Sequence, residues 1–304
     1  MSLDSTSSLK KHATVVVSYN AVESNGSSSS SSVEEAPLLG RIGNNSWRTR
    51  TQRYLASEVD SENVTWPLLG YLFMAGYIDA ISFTTIFVWC GFQTGNFAQV
   101  SLAVARTIEA TFLNPRSGIL STLVSLPKTE QASICSLSAF FFGLATFGRL
   151  GDKVGTHKRG WLFAGTLIQA LLSLTAAYTF WDLEDHSGPV SSLRHLAGVA
   201  CLSASLGVQG IMARRLGTQF STTIVLTAIF VELTADPTLF QVMRPVRSRD
   251  QKWLAVFALG FGVVVGRLIL GQLGTALTIG VGVLIRIAIA VSWLFIPASR
   301  VQLS

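Results

Sequence analysis

Apolar and polar positions alternate along this chain in long blocks. Eight largely apolar segments, at about 66–83, 93–107, 132–150, 160–181, 194–213, 220–235, 253–272 and 275–297, are separated by polar connections. A helix that crosses a bilayer needs about 20 apolar residues, and the second and sixth segments fall short at about 15. Each of these two opens at a Thr-bearing polar step, Thr94-Gly95-Asn96 in one and Thr222-Thr223 in the other. The pattern predicts an all-α, polytopic membrane helix bundle in which the short segments do not cross.

Loop charge leads to the same count. The 149–160 connection carries Arg149, Lys153, Lys158 and Arg159 against Asp152, and the 236–252 connection carries Arg244, Arg247, Arg249 and Lys252 against Asp236 and Asp250. Both belong on the cytosolic side by the positive-inside rule. The 182–194 connection, with Asp182, Glu184 and Asp185 against Arg194, belongs outside. Eight full crossings cannot satisfy these assignments. Six crossings plus two re-entrant half-helices can, with both termini cytosolic. The 106–131 connection fits least well, since it faces out with Arg106, Arg116 and Lys128 against Glu109 and Glu130.

A block pattern also recurs. Gly148-Arg149-Leu150 precedes Gly165-Thr166-Leu167-Ile168-Gln169, and Gly266-Arg267-Leu268 precedes Gly282-Val283-Leu284-Ile285-Arg286. Gly76 and Gly207 head the matching upstream segments. The expectation is two repeats, about 66–181 and 194–297. Each has three crossings and one half-helix. Three is odd, so the repeats are inverted, an arrangement that places a transporter's solute site between the halves.

Residues 1–63 are polar, with a serine run from Ser27 to Ser32, and this composition predicts a disordered cytosolic tail ahead of the membrane domain at 64–304. Within the tail, Glu34-Glu35-Ala36-Pro37-Leu38-Leu39 reads as an acidic dileucine signal for a coat adaptor, built on Glu34, Leu38 and Leu39, or as chance in a flexible segment. The signal would direct the protein to an endosomal or vacuolar membrane; without it the plasma membrane is the destination. Whole-chain composition agrees with a bilayer as the main partner. Mean hydropathy is +0.46 and only 13% of residues are charged, against about 25% in soluble domains. The net charge of +6 sits in short loops and forms no basic stripe for nucleic acid. Cys90, Cys135 and Cys201 lie in apolar segments without metal-site spacing, and no motif calls for a cofactor.

Ala75-Gly76-Tyr77-Ile78-Asp79-Ala80 followed by Thr94-Gly95-Asn96, with Arg214-Arg215-Leu216-Gly217 and Thr222-Thr223 in the second half, resembles the YoaK-like membrane proteins, domain of unknown function 1275. The chain departs from that pattern at Gly210, where the family tends to have Asn. The resemblance implies a multipass membrane protein and supplies no substrate.

The candidate solute-binding residues are Asp79, Thr94, Gly95, Asn96, Arg214, Thr222, Thr223 and Arg286. Ionisable side chains inside a bilayer are costly and mark function by default. Asp79 and Arg286 are therefore either a structural ion pair or parts of a site. The Thr and Asn side chains at the half-helix starts suit capping of free backbone N–H groups. Those starts present a positive dipole end to the protein centre, which suits an anionic or carbonyl-rich solute. The leading expectation is a transporter or facilitator of a small polar or anionic solute. The alternatives are a channel and a scaffold or lipid-handling protein. No nucleophile–base pair or metal cluster points to an enzyme.

Overall fold

The computed structural model describes residues 46–113, 126–181, 189–218, 220, 226–240 and 244–299, and among them there is no strand. The helices are α1 (Ser46–Ala56), α2 (Thr65–Ile86), α3 (Gln93–Leu113), α4 (Lys128–Val154), α5 (Arg159–Trp181), α6 (Pro189–Arg215), α7 (Leu226–Thr234) and α8 (Arg247–Ser292). Five of them, α2, α4, α5, α6 and α8, are long and apolar enough to cross a membrane.

The longest makes two passages. Gly274 takes φ 75° and ψ 177° inside α8, a conformation that glycine reaches without a Cβ penalty. Tyr77 packs against Gly266 on the first arm, and its hydroxyl donates to the Thr278 carbonyl on the second at 2.7 Å. A continuous helix would hold Gly266 and Thr278 about 18 Å apart along its axis. The helix therefore folds back at Gly274, and the described residues make six passages through the bundle. Backbone bridges Glu58–Lys158 and Val59–Ala298 gather the start of α2, the α4–α5 turn and the chain end at one end of the bundle, here called the near end.

Two of the helix crossings in the bundle are alike. In one, α2 runs beside the first arm of α8; a Cβ on Gly76 would overlap the Leu259 carbonyl, and one on Gly262 would overlap that of Phe73. In the other, α6 runs beside α4; a Cβ on Gly207 would overlap the Phe140 carbonyl, and one on Gly143 that of Ala204. One constant shift carries Phe73 and Gly76 onto Ala204 and Gly207. A second carries Phe140 and Gly143 onto Leu259 and Gly262. Small residues let backbones approach and gain dispersion contact where lipid offers no hydrophobic drive.

Between α2 and α4 the chain leaves and re-enters the same end. α2 stops at Phe87, whose left-handed φ of 56° and N–H to Phe83 close the last turn. The loop then dips, and the Gly91 N–H reaches Asp79, about 10 Å below the top of α2. From there α3 climbs back antiparallel to α4, with Asn96 at Ser136, Gln99 at Ser133 and Arg106 at Glu130. This is the first expected half-helix. It is longer than the 93–107 apolar run and continues to Leu113, with the Thr107 and Thr111 hydroxyls bonded one turn back. Arg106 and Glu130 of the 106–131 connection form an ion pair, which leaves the connection's excess of one cation as it is. Of the second half-helix, α7 is described; Glu232 near its end pairs with Lys252 of α8 at 3.5 Å. Thr222 and Thr223 lie outside the described residues.

Residues 46–63, the last part of the expected tail, are among the described residues. There α1 docks on α5 through Arg159, whose guanidinium lies 4.0 Å from the Tyr54 ring centre, donates to Ser57 at 3.0 Å and binds the Ile296 carbonyl. A polar helix can be held this way by one long-range cation anchor. The dileucine residues Glu34, Leu38 and Leu39 lie outside the described residues.

Candidate functional site

Three features among the described residues bear on a site. The first is the latch where the half-helix begins. Asp79 is fully buried. Its Oδ1 accepts from the Gly91 N–H at 2.7 Å, and its Oδ2 has no partner. A Cβ on Gly91 would come within 2.8 Å of that second oxygen. Asn96, also fully buried, donates to Trp89, Gln93 and Ser136, while its Oδ1 accepts from the Trp89 N–H at 3.2 Å. Ser136 in turn meets Ser203 of α6 at 2.8 Å. Asn96 is thus a fully bonded staple that holds the loop on α4 and α6. Gly95 lies against the Trp89 ring, and Thr94 is exposed in the first turn of α3.

The second feature is the centre. Arg286, on the second arm of α8, is fully buried. Its Nη1 donates to Gln169 Oε1 of α5 and to Gln209 Oε1 of α6, the latter at 3.4 Å. Gln209 Nε2 is fixed by the Tyr71 carbonyl at 2.8 Å. The Tyr71 hydroxyl meets Thr166 Oγ1 at 2.6 Å, and Thr166 also receives the Trp293 indole N–H at 3.1 Å. Arg286 Nε and Nη2 have no partner. Four passages thus converge on one guanidinium whose bonds go to neutral oxygens, although a buried cation normally finds an acid.

The structure shows no Asp79–Arg286 ion pair. Tyr71, beside Arg286, and Asp79 are about 12 Å apart along α2, and each charge has its own partners. The expected grouping of Arg286 with the half-helix start fails for the same reason. Arg214 is also elsewhere: it is exposed at the near end of α6, beside Arg215, which pairs with Asp152 at 2.8 Å. The groups that sequence reasoning left out of the site are Tyr71, Thr166, Gln169 and Gln209. The amides carry a signal, because a carboxamide inside an apolar segment needs a partner.

The third feature is a pair of cavities. One, of about 330 Å³, opens at the far end between α2, α4 and α6 and is lined by Ile86, Phe87, Lys128, Thr129, Ala132, His195 and Leu196 among others. The other, of about 460 Å³, opens at the near end between the starts of α2 and α8 and the chain after α6, with Gly217, Thr218, Arg247, Ser248, Gln251, Val64 and Thr65. The two shifts that equate the glycine crossings also carry seven of the ten residues that line the first cavity onto seven of the ten that line the second. Lys128 falls on Arg247 and Thr129 on Ser248, each pair at the start of a long helix.

These long apolar helices, the half-helix entered from one face and the buried polar centre define a polytopic integral membrane protein. The chain matches the family described as protein of unknown function (DUF1275) over residues 68–292, and it belongs to that family. The match leaves out α1 and the segment before it. No curated protein and no solved structure matches the chain.

Proposed function

We propose that this protein is a transporter or facilitator of a small polar or anionic solute, built as two inverted repeats that open in turn to the two membrane faces. The observation that carries the reading is a pair of cavities, one at each end of the bundle, in which seven of the ten lining positions correspond between the two halves. Alternating access is rocking of one repeat against the other around a fixed central site, and it needs equivalent vestibules on both faces. Arg286 lies between them, fully buried, as a site does when closed to both sides. Its uncompensated charge favours an anion or a carbonyl-bearing solute. The reading is transport and not catalysis.

Loop charge orients the protein with both termini in the cytosol. Glu34, Leu38 and Leu39 are then available to a coat adaptor that sorts it to an endosomal or vacuolar membrane. The test is solute efflux from proteoliposomes loaded with a panel of small carboxylates, inorganic anions, amino acids and sugars. At least one solute should leave faster than from protein-free vesicles. A bulky thiol adduct on Thr129→Cys, at the far vestibule, should block it. Equal efflux for the whole panel overturns the proposal.

A further inference from the structure

We infer that Arg286 binds a planar oxyanion, such as a carboxylate, bicarbonate or nitrate, through the edge formed by its Nε and Nη2. The inference rests on the transport reading only in taking the bundle centre as the solute's halfway point. Three observations on one side chain carry it. The guanidinium is fully buried. Its Nη1 is held by Gln169 and Gln209, which fixes the plane. Nε and Nη2 are left without partners.

Those two nitrogens lie on the same side of the guanidinium, and their N–H groups point in parallel. This fork matches two oxygens of one planar anion and gives a bidentate, charge-assisted pair. A spherical anion uses the fork less well. The surrounding groups support a single negative charge. Gln169 and Gln209 are neutral, Tyr71 and Thr166 bond to each other, and the acid on α2, Asp79, lies about 12 Å along the helix from Tyr71. One monoanion would therefore neutralise the centre without a second charge to bury.

The test uses purified full-length protein in detergent, with thermal unfolding followed against sodium acetate and sodium nitrate, and sodium chloride at matched ionic strength as the control. Acetate and nitrate should raise the midpoint saturably, and chloride should not. Arg286→Lys keeps the charge and removes the fork, so apparent acetate affinity should fall about tenfold or more, the worth of one charged hydrogen bond. Gln169→Glu should weaken acetate as well, by giving Arg286 an internal carboxylate; it keeps the inference testable if the lysine variant does not fold. Equal stabilisation by chloride overturns the inference, as does unchanged acetate affinity in a folded variant. So does the absence of any saturable effect, in which case buried water satisfies the two nitrogens. Acetate binding without flux in proteoliposomes would sink the transport reading and leave this inference standing. Flux of a neutral solute that is insensitive to Arg286→Lys would do the reverse.

Discussion

Asp79→Asn and Arg286→Gln, made singly and together, separate two accounts of the buried charges. If the side chains formed an ion pair, opposite unit charges about 4 Å apart at an effective dielectric near 20 would couple by about 4 kcal/mol. Each single change would then strand a charge, and the double change would recover most of the loss. The structure places Asp79 on the Gly91 N–H at 2.7 Å and Arg286 on Gln169 and Gln209. Across the roughly 12 Å of α2 between Asp79 and Tyr71, the same expression gives about 1.4 kcal/mol. The coupling should therefore fall below about 1.5 kcal/mol. A cycle between Arg286→Gln and Gln169→Ala tests a real contact and should show about 1.5–3 kcal/mol, the worth of a charged hydrogen bond. The assay is equilibrium unfolding in mixed detergent and dodecyl sulfate, followed by tryptophan fluorescence. A coupling of 3–4 kcal/mol between positions 79 and 286 would refute the separation of the two sites.

Gly76→Ala and Gly207→Ala, at equivalent crossings, should each cost about 1–3 kcal/mol through forced backbone separation, whereas Gly260→Ala, with open space around it, should stay within about 0.5 kcal/mol; melting in detergent ranks the three. Gly91→Ala should crowd Asp79 and loosen the re-entrant loop, seen as faster hydrogen exchange at residues 88–92 with the exchange of α5 unchanged. Exchange at 88–92 equal to the parent's would contradict the latch. Changing Leu38 and Leu39 together to Ala should move the protein from an endosomal or vacuolar membrane to the cell surface, and unchanged localisation under the fluorescence microscope would make the dileucine a chance match.

The passages are legible in the sequence because a bilayer imposes a minimum apolar length, and α2, α4, α5, α6 and both arms of α8 meet it. α1 is not legible. Its sequence is mostly polar, and its docking uses groups far along the chain, Arg159 among them. The end of α3 is hidden for a related reason, since Arg106 and Glu109 interrupt the apolar run that the helix outlasts. Asp79 and Asn96 stand out as polar residues in apolar surroundings. Their main partners are backbone groups of Gly91 and Trp89, which leave no side-chain signature. Opposite charge alone suggests an Asp79–Arg286 pair, but charge says nothing of depth in the bundle. The ring of Gln169, Gln209 and Tyr71 around Arg286 needs the rotation of several helices about their axes, which no linear pattern encodes.

The central claim is that two equivalent vestibules face opposite sides of the membrane and open in turn. It is tested most directly with single cysteines at Thr129→Cys and Ser248→Cys, in a background with Cys90, Cys135 and Cys201 changed to Ser. An impermeant thiol reagent is applied to one side of sealed vesicles at a time. The account predicts that position 129 labels from one side only and position 248 from the other, and that sodium acetate speeds labelling at one position while slowing it at the other. Labelling of both positions from the same side, or rates that acetate leaves unchanged at both, would contradict it.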